Sequence, residues 1–204
     1  MVDAAPVVDA AKRQALLAFA RATARRILEG EDAARAGSAT PAASGVPPPP
    51  IKPVIEGRFG GVFVTIWRGH SLRGCVGTFA PTSDLAATVG HITRSSLDDP
   101  RFTGNPITAA ELPSLTIEIS VLSDLVPTDQ PDALVPGAHG IKIQRGERSG
   151  CFLPKVAAER GWTAEEFLSA CCTMKANLPA DAWRDPRTQV YLFTAEVFSE
   201  ADGT

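Results

Sequence analysis

The sequence predicts an α+β fold, mainly antiparallel sheet flanked by helices, and three observations predict it. Apolar residues recur at helical spacing in three separated stretches, opening near Asp9, Ser83 and Thr163. Alternating, β-rich stretches lie between and after them. There is no internal repeat and no strand, Gly-rich loop and helix unit of the kind that cradles phosphates.

The first element runs from Asp9 to Glu29, with Leu16, Leu17, Ala20, Ala24, Ile27 and Leu28 on one stripe, Asp9 as N-cap and Gly30 as terminator. Residues 1–30 are thus expected to be an N-terminal helix belonging to the main domain. Residues 31–53 turn to Ala, Gly, Ser and Pro and end in Val46-Pro-Pro-Pro-Pro50-Ile-Lys-Pro53, which reads as an extended connector lacking helix or strand. Gly61–Trp67 and Ser71–Phe79 alternate about a turn at Arg68-Gly69-His70, predicting a β-hairpin. A helix follows from Ser83-Asp84-Leu85, its stripe made of Leu85, Val89 and Ile92, and it ends before Asp98-Asp99-Pro100-Arg101-Phe102.

Leu115, Ile117, Ile119 and Val121 face one way and Thr116, Glu118 and Ser120 the other, a half-buried strand with a carboxylate on its polar side. A second, smaller hairpin is expected from Ile141–Gln144 and Cys151–Leu153 around the turn-rich Arg145–Gly150 loop. Thr163-Ala-Glu-Glu166 is a capping box that opens a helix to about Ala176, and Gln189–Phe198 alternates as one final strand.

Composition bounds the function. A chain of 204 residues suffices for one domain, or one with a small satellite, and can bury about 70% of its unfolded surface. With 44% hydrophobic and 21% charged residues it is neither disordered nor fibrous, and a net charge of −3 argues against a nucleic-acid partner. No window approaches the ~18 apolar residues of a membrane span. Asp3, Pro6 and Asp9 interrupt any secretory leader, and four cysteines are too few to staple the chain, so a cytoplasmic protein with reduced thiols is expected.

Chemistry concentrates in Leu72-Arg73-Gly74-Cys75-Val76-Gly77-Thr78. Strict alternation would put Arg73, Cys75 and Gly77 on one strand face, where the guanidinium favours the nucleophilic thiolate and the glycines admit a substrate or a backbone. The competing reading makes Cys75 a small buried hydrophobe and the glycines the mark of a bulge. His139, framed by Gly137 and Gly140, is the best placed of three histidines to serve as a general base, provided the fold brings it to Cys75. Asp99 and Arg101 would hold a ligand or form a salt-bridged cap. Glu118 could pair with Arg73 or Arg101 and orient a pocket. Cys151, Cys171 and Cys172 sit in apolar stretches where packed thiols are normal. No metal-ligand spacing is present.

Leu72-Arg-Gly-Cys-Val-Gly-Thr-Phe79 resembles the signature octapeptide of the AMMECR family. Gly61–Thr65, Asp99-Pro-Arg-Phe102, Glu111–Leu115, Glu118–Leu122, His139-Gly-Ile141, Phe152–Val156, Gly161-Trp162 and Val190–Glu196 follow in family order, covering about residues 55 to 200. Val76 stands where isoleucine is commoner, and Lys175-Ala-Asn177 replaces a more usual lysine, alanine and glycine. The resemblance implies a larger and a smaller subdomain, the latter at approximately 135–160 within an AMMECR-like domain at 54–204, with the arginine, glycine and cysteine segment in a cleft. It names no reaction and no cofactor. Bacterial and archaeal members are similar to protein A of the AmmeMemoRadiSam system, whose gene sets add a Memo-like protein and a radical SAM protein, the partners this likeness implies.

The expectation is an enzyme with Cys75 as nucleophile or covalent carrier and His139 as proton partner, Arg73, Gly74, Gly77, Asp99, Arg101 and Glu118 forming the substrate site. The alternative is a non-catalytic module that binds a small molecule or a protein through the same cleft.

Overall fold

The computed structural model describes residues 8–35, 50–55 and 57–203. The chain forms two compact units, one of Val7–Val121 with Val197–Thr204 and the other of Leu122–Glu196. The second unit is thus broader than the 135–160 segment expected from the sequence.

In the first unit, helix α1 (Ala10–Arg35) starts where Asp9 Oδ1 accepts the Lys12 N–H at 2.9 Å. It does not stop at Gly30. A helical glycine costs only about 1 kcal/mol, and the residues after it, Glu31 to Arg35, include good helix formers that carry the helix on. The connector therefore begins later than residue 31. Its residues 36–49 lie outside the described residues, and Pro50–Val54 has neither helix nor strand.

Strands β1 (Gly61–Arg68) and β2 (Ser71–Thr78) pair antiparallel, with Gly69 at φ +56° making the turn. Helix α2 (Leu85–Leu97) is capped by Asp84, whose Oδ1 accepts the Ala87 N–H at 3.0 Å. Strand β3 (Leu115–Leu122) follows two short 3-10 turns at Pro100–Phe102 and Ala109–Ser114.

In the second unit, β4 (Val126–Pro127) is followed by the hairpin of β5 (Gly140–Arg145) and β6 (Arg148–Phe152). Helix α3 (Pro154–Arg160), with Pro154 at its first position and Gly161 left-handed at its end, was not foreseen from periodicity because it spans only two turns. Helix α4 (Ala164–Met174) carries the expected capping box of Thr163 and Glu166. The expected final strand is two strands, β7 (Gln189–Phe193) and β8 (Ala195–Ser199), in different sheets. Alternation alone could not reveal that Thr194 is where pairing partners change.

The first sheet has the order β2-β1-β3-β8. Its core face carries Val62, Val64 and Ile66 of β1 with Leu115, Ile117, Ile119 and Val121 of β3, packed with Leu16, Ala20, Ala24 and Leu28 of α1 and Leu85, Val89 and Ile92 of α2. The second sheet has the order β4-β7-β5-β6, and its core joins Ile141, Ile143, Val190 and Leu192 to Phe167, Leu168, Cys171 and Cys172 of α4. Phe152 stacks on Phe167 there at 5.7 Å between centroids. Among the described residues no helix is long and apolar enough to cross a membrane.

Candidate functional site

The β1–β2 register decides which side chains surround Cys75. Thr65 opposes Cys75 and Trp67 opposes Leu72, while Ile66 opposes Gly74. Thr65 and Trp67 are two residues apart on β1, but their partners are three apart on β2. The extra residue is a β-bulge at Arg73-Gly74, and it breaks the two-residue alternation. Cys75 therefore shares the sheet face of Thr65 and, by the Phe63–Gly77 pairing, of Phe63 and Gly77, opposite the face of Val64 and Ile66 that enters the core.

The bulge takes Arg73 out of the Cys75 site. Arg73 is only 4% exposed, and its NH1 donates to the Asn105 carbonyl at 3.2 Å. Its NH2 bonds both Glu111 oxygens at 3.2 and 3.1 Å. Glu111 also accepts the Thr108 N–H at 3.1 Å and pairs with Arg68 at 2.8 Å. Burial works against that charge, but the Thr108 N–H and the Arg73 guanidinium hold the Glu111 carboxyl below its ordinary value. The Arg73 fork, expected beside the thiol or a substrate, ties the bulge to the 105–111 segment. Glu111, its partner, was missed because a capping-box glutamate before a proline reads as local helix punctuation.

Arg101 stands beside Cys75 instead. Its NH2 donates to the Cys75 carbonyl at 2.9 Å, and Asp99 Oδ2 accepts the Cys75 N–H at 2.9 Å. Both backbone groups of Cys75 thus point outward from β2, an edge strand, and the Asp99–Arg101 pair offers the acceptor and donor that a neighbouring strand would supply. Because those groups are turned away from β1, Thr65 and Cys75 form a non-hydrogen-bonded pair, the kind with the closest side chains. Accordingly the Thr65 hydroxyl donates to Cys75 Sγ at 3.3 Å.

Asp99 is 4% exposed and carries Arg101 Nε and NH2 as well, the latter at 2.5 Å. That guanidinium, with the Cys75 and Arg101 N–H groups, outweighs burial and brings its carboxyl down to about 2. Arg101 in turn is held protonated beyond its ordinary value, first by Asp99 and also by the Cys75 side chain. Its side chain is half exposed, and NH1 makes no hydrogen bond among the described residues.

The glycines fill structural needs. A Cβ at Gly74 would lie 1.9 Å from the Ser96 carbonyl, and one at Gly77 2.1 Å from the Phe63 ring. The Ser96 hydroxyl, near the end of α2, donates to the Val64 carbonyl at 2.9 Å and accepts the Val76 N–H at 3.2 Å. Gly74 lets the helix approach the bulge, and the ring of Phe63, edge-on to Phe79 at 5.4 Å, occupies the space over Gly77. At both glycines the space a Cβ would take is filled by the protein itself.

Glu118 is half-buried on β3, while Arg73 pairs with Glu111 and Arg101 with Asp99. His139 belongs to the other unit. Its Nδ1 accepts the Val135 N–H at 3.0 Å, which places the proton of the neutral ring on Nε2 and leaves no free lone pair. That local bond engages a ring nitrogen that a general base would use. Cys151 is half-buried, whereas Cys171 and Cys172 are fully buried, and burial pushes both of those thiols up. Among the described residues no group of His, Cys, Asp and Glu is arranged to hold a metal ion.

The AMMECR1 family profile matches residues 17–198. The chain belongs to the AMMECR1 family. It is 44% identical over 151 residues to Protein TK0174 of Thermococcus kodakarensis, an alignment covering 69% of this chain and 72% of that protein. Protein PF1979 of Pyrococcus furiosus is 39% identical over 165 residues, 76% of this chain and 77% of its own. The crystal structure of the uncharacterised protein PH0010 from Pyrococcus horikoshii superposes with a TM-score of 0.69 at 35% identity, covering 91% of each chain. The fold of this AMMECR1-family chain is thus that of an experimentally determined relative, and both sheets belong to an α+β architecture.

Proposed function

We propose that Cys75 is a reactive nucleophile and that this AMMECR1-family protein performs thiol-dependent covalent chemistry on a small molecule. The observation that carries the reading is the convergence of two polarising groups on one half-buried cysteine: the Thr65 hydroxyl on its Sγ and the Arg101 guanidinium on its carbonyl. Cationic surroundings and hydrogen-bond donors favour the thiolate, the form that attacks carbon. The Asp99–Arg101 pair fixes the Cys75 backbone at both its N–H and its carbonyl, so the sulfur is presented from a strand whose position is set. In the covalent step the sulfur forms a bond to an electrophilic carbon, the leaving group departs with its electron pair, and the thiol proton passes to water.

The test is iodoacetamide alkylation at neutral pH, followed peptide by peptide. Arg101→Gln is expected to slow modification of Cys75 about tenfold. Arg73→Met, which removes the guanidinium on the far side of the bulge, should leave that rate within about twofold wherever the variant is folded. Equal rates for wild type and Arg101→Gln would refute the reading and favour a binding module that performs no chemistry.

A further inference from the structure

Resting on the reading of Cys75 as a nucleophile, we infer that its substrates are carbonyl compounds and that Arg101 NH1 is the group that receives the oxyanion formed when the sulfur attacks. Hydrogen bonds to Asp99 and to the Cys75 carbonyl define the position of the guanidinium. Nε and NH2 bind Asp99 at 3.0 and 2.5 Å, NH2 binds the Cys75 carbonyl at 2.9 Å, and Asp99 is anchored by the Cys75 N–H at 2.9 Å. One edge of the fork is therefore spent on fixing itself to the residue that carries the sulfur. The remaining nitrogen, NH1, makes no hydrogen bond among the described residues, and the side chain is half exposed.

Charge bookkeeping selects the substrate class. The cluster holds one cation, Arg101, and one anion, Asp99, so a thiolate at Cys75 makes it net negative. A substrate arriving with its own negative charge would add to that excess. A neutral carbonyl adds none: as the S–C bond forms, the carbonyl π electrons move to oxygen, and the charge that Arg101 stabilised on sulfur is transferred to an oxyanion two bonds away. The same guanidinium serves both states, with no reorganisation, which is how fixed donors stabilise acyl-transfer intermediates. Collapse of that intermediate reforms the carbonyl, expels the leaving group with its electron pair and leaves a thioester on Cys75. With an aldehyde, which has no leaving group, the oxyanion takes a proton from water and a thiohemiacetal remains.

The experiment compares two reagents on the full chain, with Cys75→Ser as the background to subtract. The first is p-nitrophenyl acetate, whose attack builds an oxyanion before nitrophenolate leaves. The second is iodoacetamide, whose displacement at a saturated carbon builds none. In Arg101→Gln, the Cys75-dependent burst of nitrophenolate is expected to fall about tenfold further than Cys75 alkylation, a conservative figure for the loss of one half-exposed oxyanion donor. Arg101→Lys keeps the charge but lacks the planar fork that meets Asp99 and an oxyanion together, so a selective loss of about threefold is expected there, which decides the matter if the glutamine variant loses its native circular dichroism. Equal slowing with both reagents overturns the oxyanion role and leaves Cys75 as a nucleophile whose thiolate Arg101 stabilises. Fast alkylation without a Cys75-dependent burst overturns the carbonyl substrate class. Failure of Cys75 to react with either reagent overturns the underlying reading itself.

Discussion

At the scale of single residues, the two arginines exchange the positions that spacing suggests. Arg73 lies two positions from Cys75 in sequence, yet the bulge sends it to Glu111, whereas Arg101, separated by 26 positions, donates to the Cys75 carbonyl. Asp99 gives this arrangement a pH signature. Its carboxyl titrates near 3.9 when the chain is unfolded and about 2 when folded, chiefly because of the Arg101 guanidinium. The folded state therefore holds the ionised form more tightly. The resulting stability is complete above about pH 4 and is lost as pH falls toward about 2. For this nearly buried group the shift is worth on the order of 2 kcal/mol. Urea midpoints of wild type and Asp99→Asn should accordingly converge as pH is lowered from 6 to 3. A constant difference across that range would show that Asp99 does not carry its charge in the way described. The Cys75 neighbourhood is legible only in part: Arg73, Asp99 and Arg101 stand out in the sequence, but Thr65 and Glu111 do not, and the partnerships depend on one extra residue in β2 that an alternation argument assumes away.

At the scale of elements, local chemistry predicted most of what formed. The Asp84 cap, the Thr163–Glu166 capping box and the glycine turn of the first hairpin all rest on interactions within a few residues, which a sequence displays directly. The extension of α1 beyond Gly30 and the division of the last alternating stretch into β7 and β8 rest on packing and pairing, which it does not. The departure at Lys175-Ala-Asn177 has a local reason. Asn177 follows α4 at φ +52°, the only positive-φ residue other than glycine among those described, in a conformation that glycine adopts freely and asparagine tolerates better than most. Asn177→Gly should leave stability within about 0.5 kcal/mol, and Asn177→Ala should lower it by about 1 kcal/mol, read from chemical unfolding at neutral pH. Equal losses in both variants would point to the Asn177 side chain rather than its backbone.

At the scale of the whole molecule, the chain leaves the first unit at β3 and returns to it at its C-terminal end. Glu200 fastens that return. It binds Arg21 of α1 and accepts the Ile117 N–H of β3 at 2.7 Å, while Arg21 also donates to the carbonyls of Leu112 and Leu115. Glu200→Ala leaves a part-buried guanidinium and a strand N–H without their acceptor, which should cost about 2–3 kcal/mol. Hydrogen exchange should rise in α1 and β3 more than in β5 and β7, whose core is made within the other unit. A uniform rise would mean that the two units open only together. We propose that folding of the first unit makes the Cys75 thiol reactive. The most direct test is the second-order rate constant for iodoacetamide at Cys75, resolved by peptide, in the native chain and in the same chain unfolded in urea. Reactivity is predicted to be at least ~10-fold higher in the native state, because only there does the Thr65 hydroxyl meet the sulfur and the Arg101 guanidinium the carbonyl of the same residue. An equal or lower rate in the native state would contradict it.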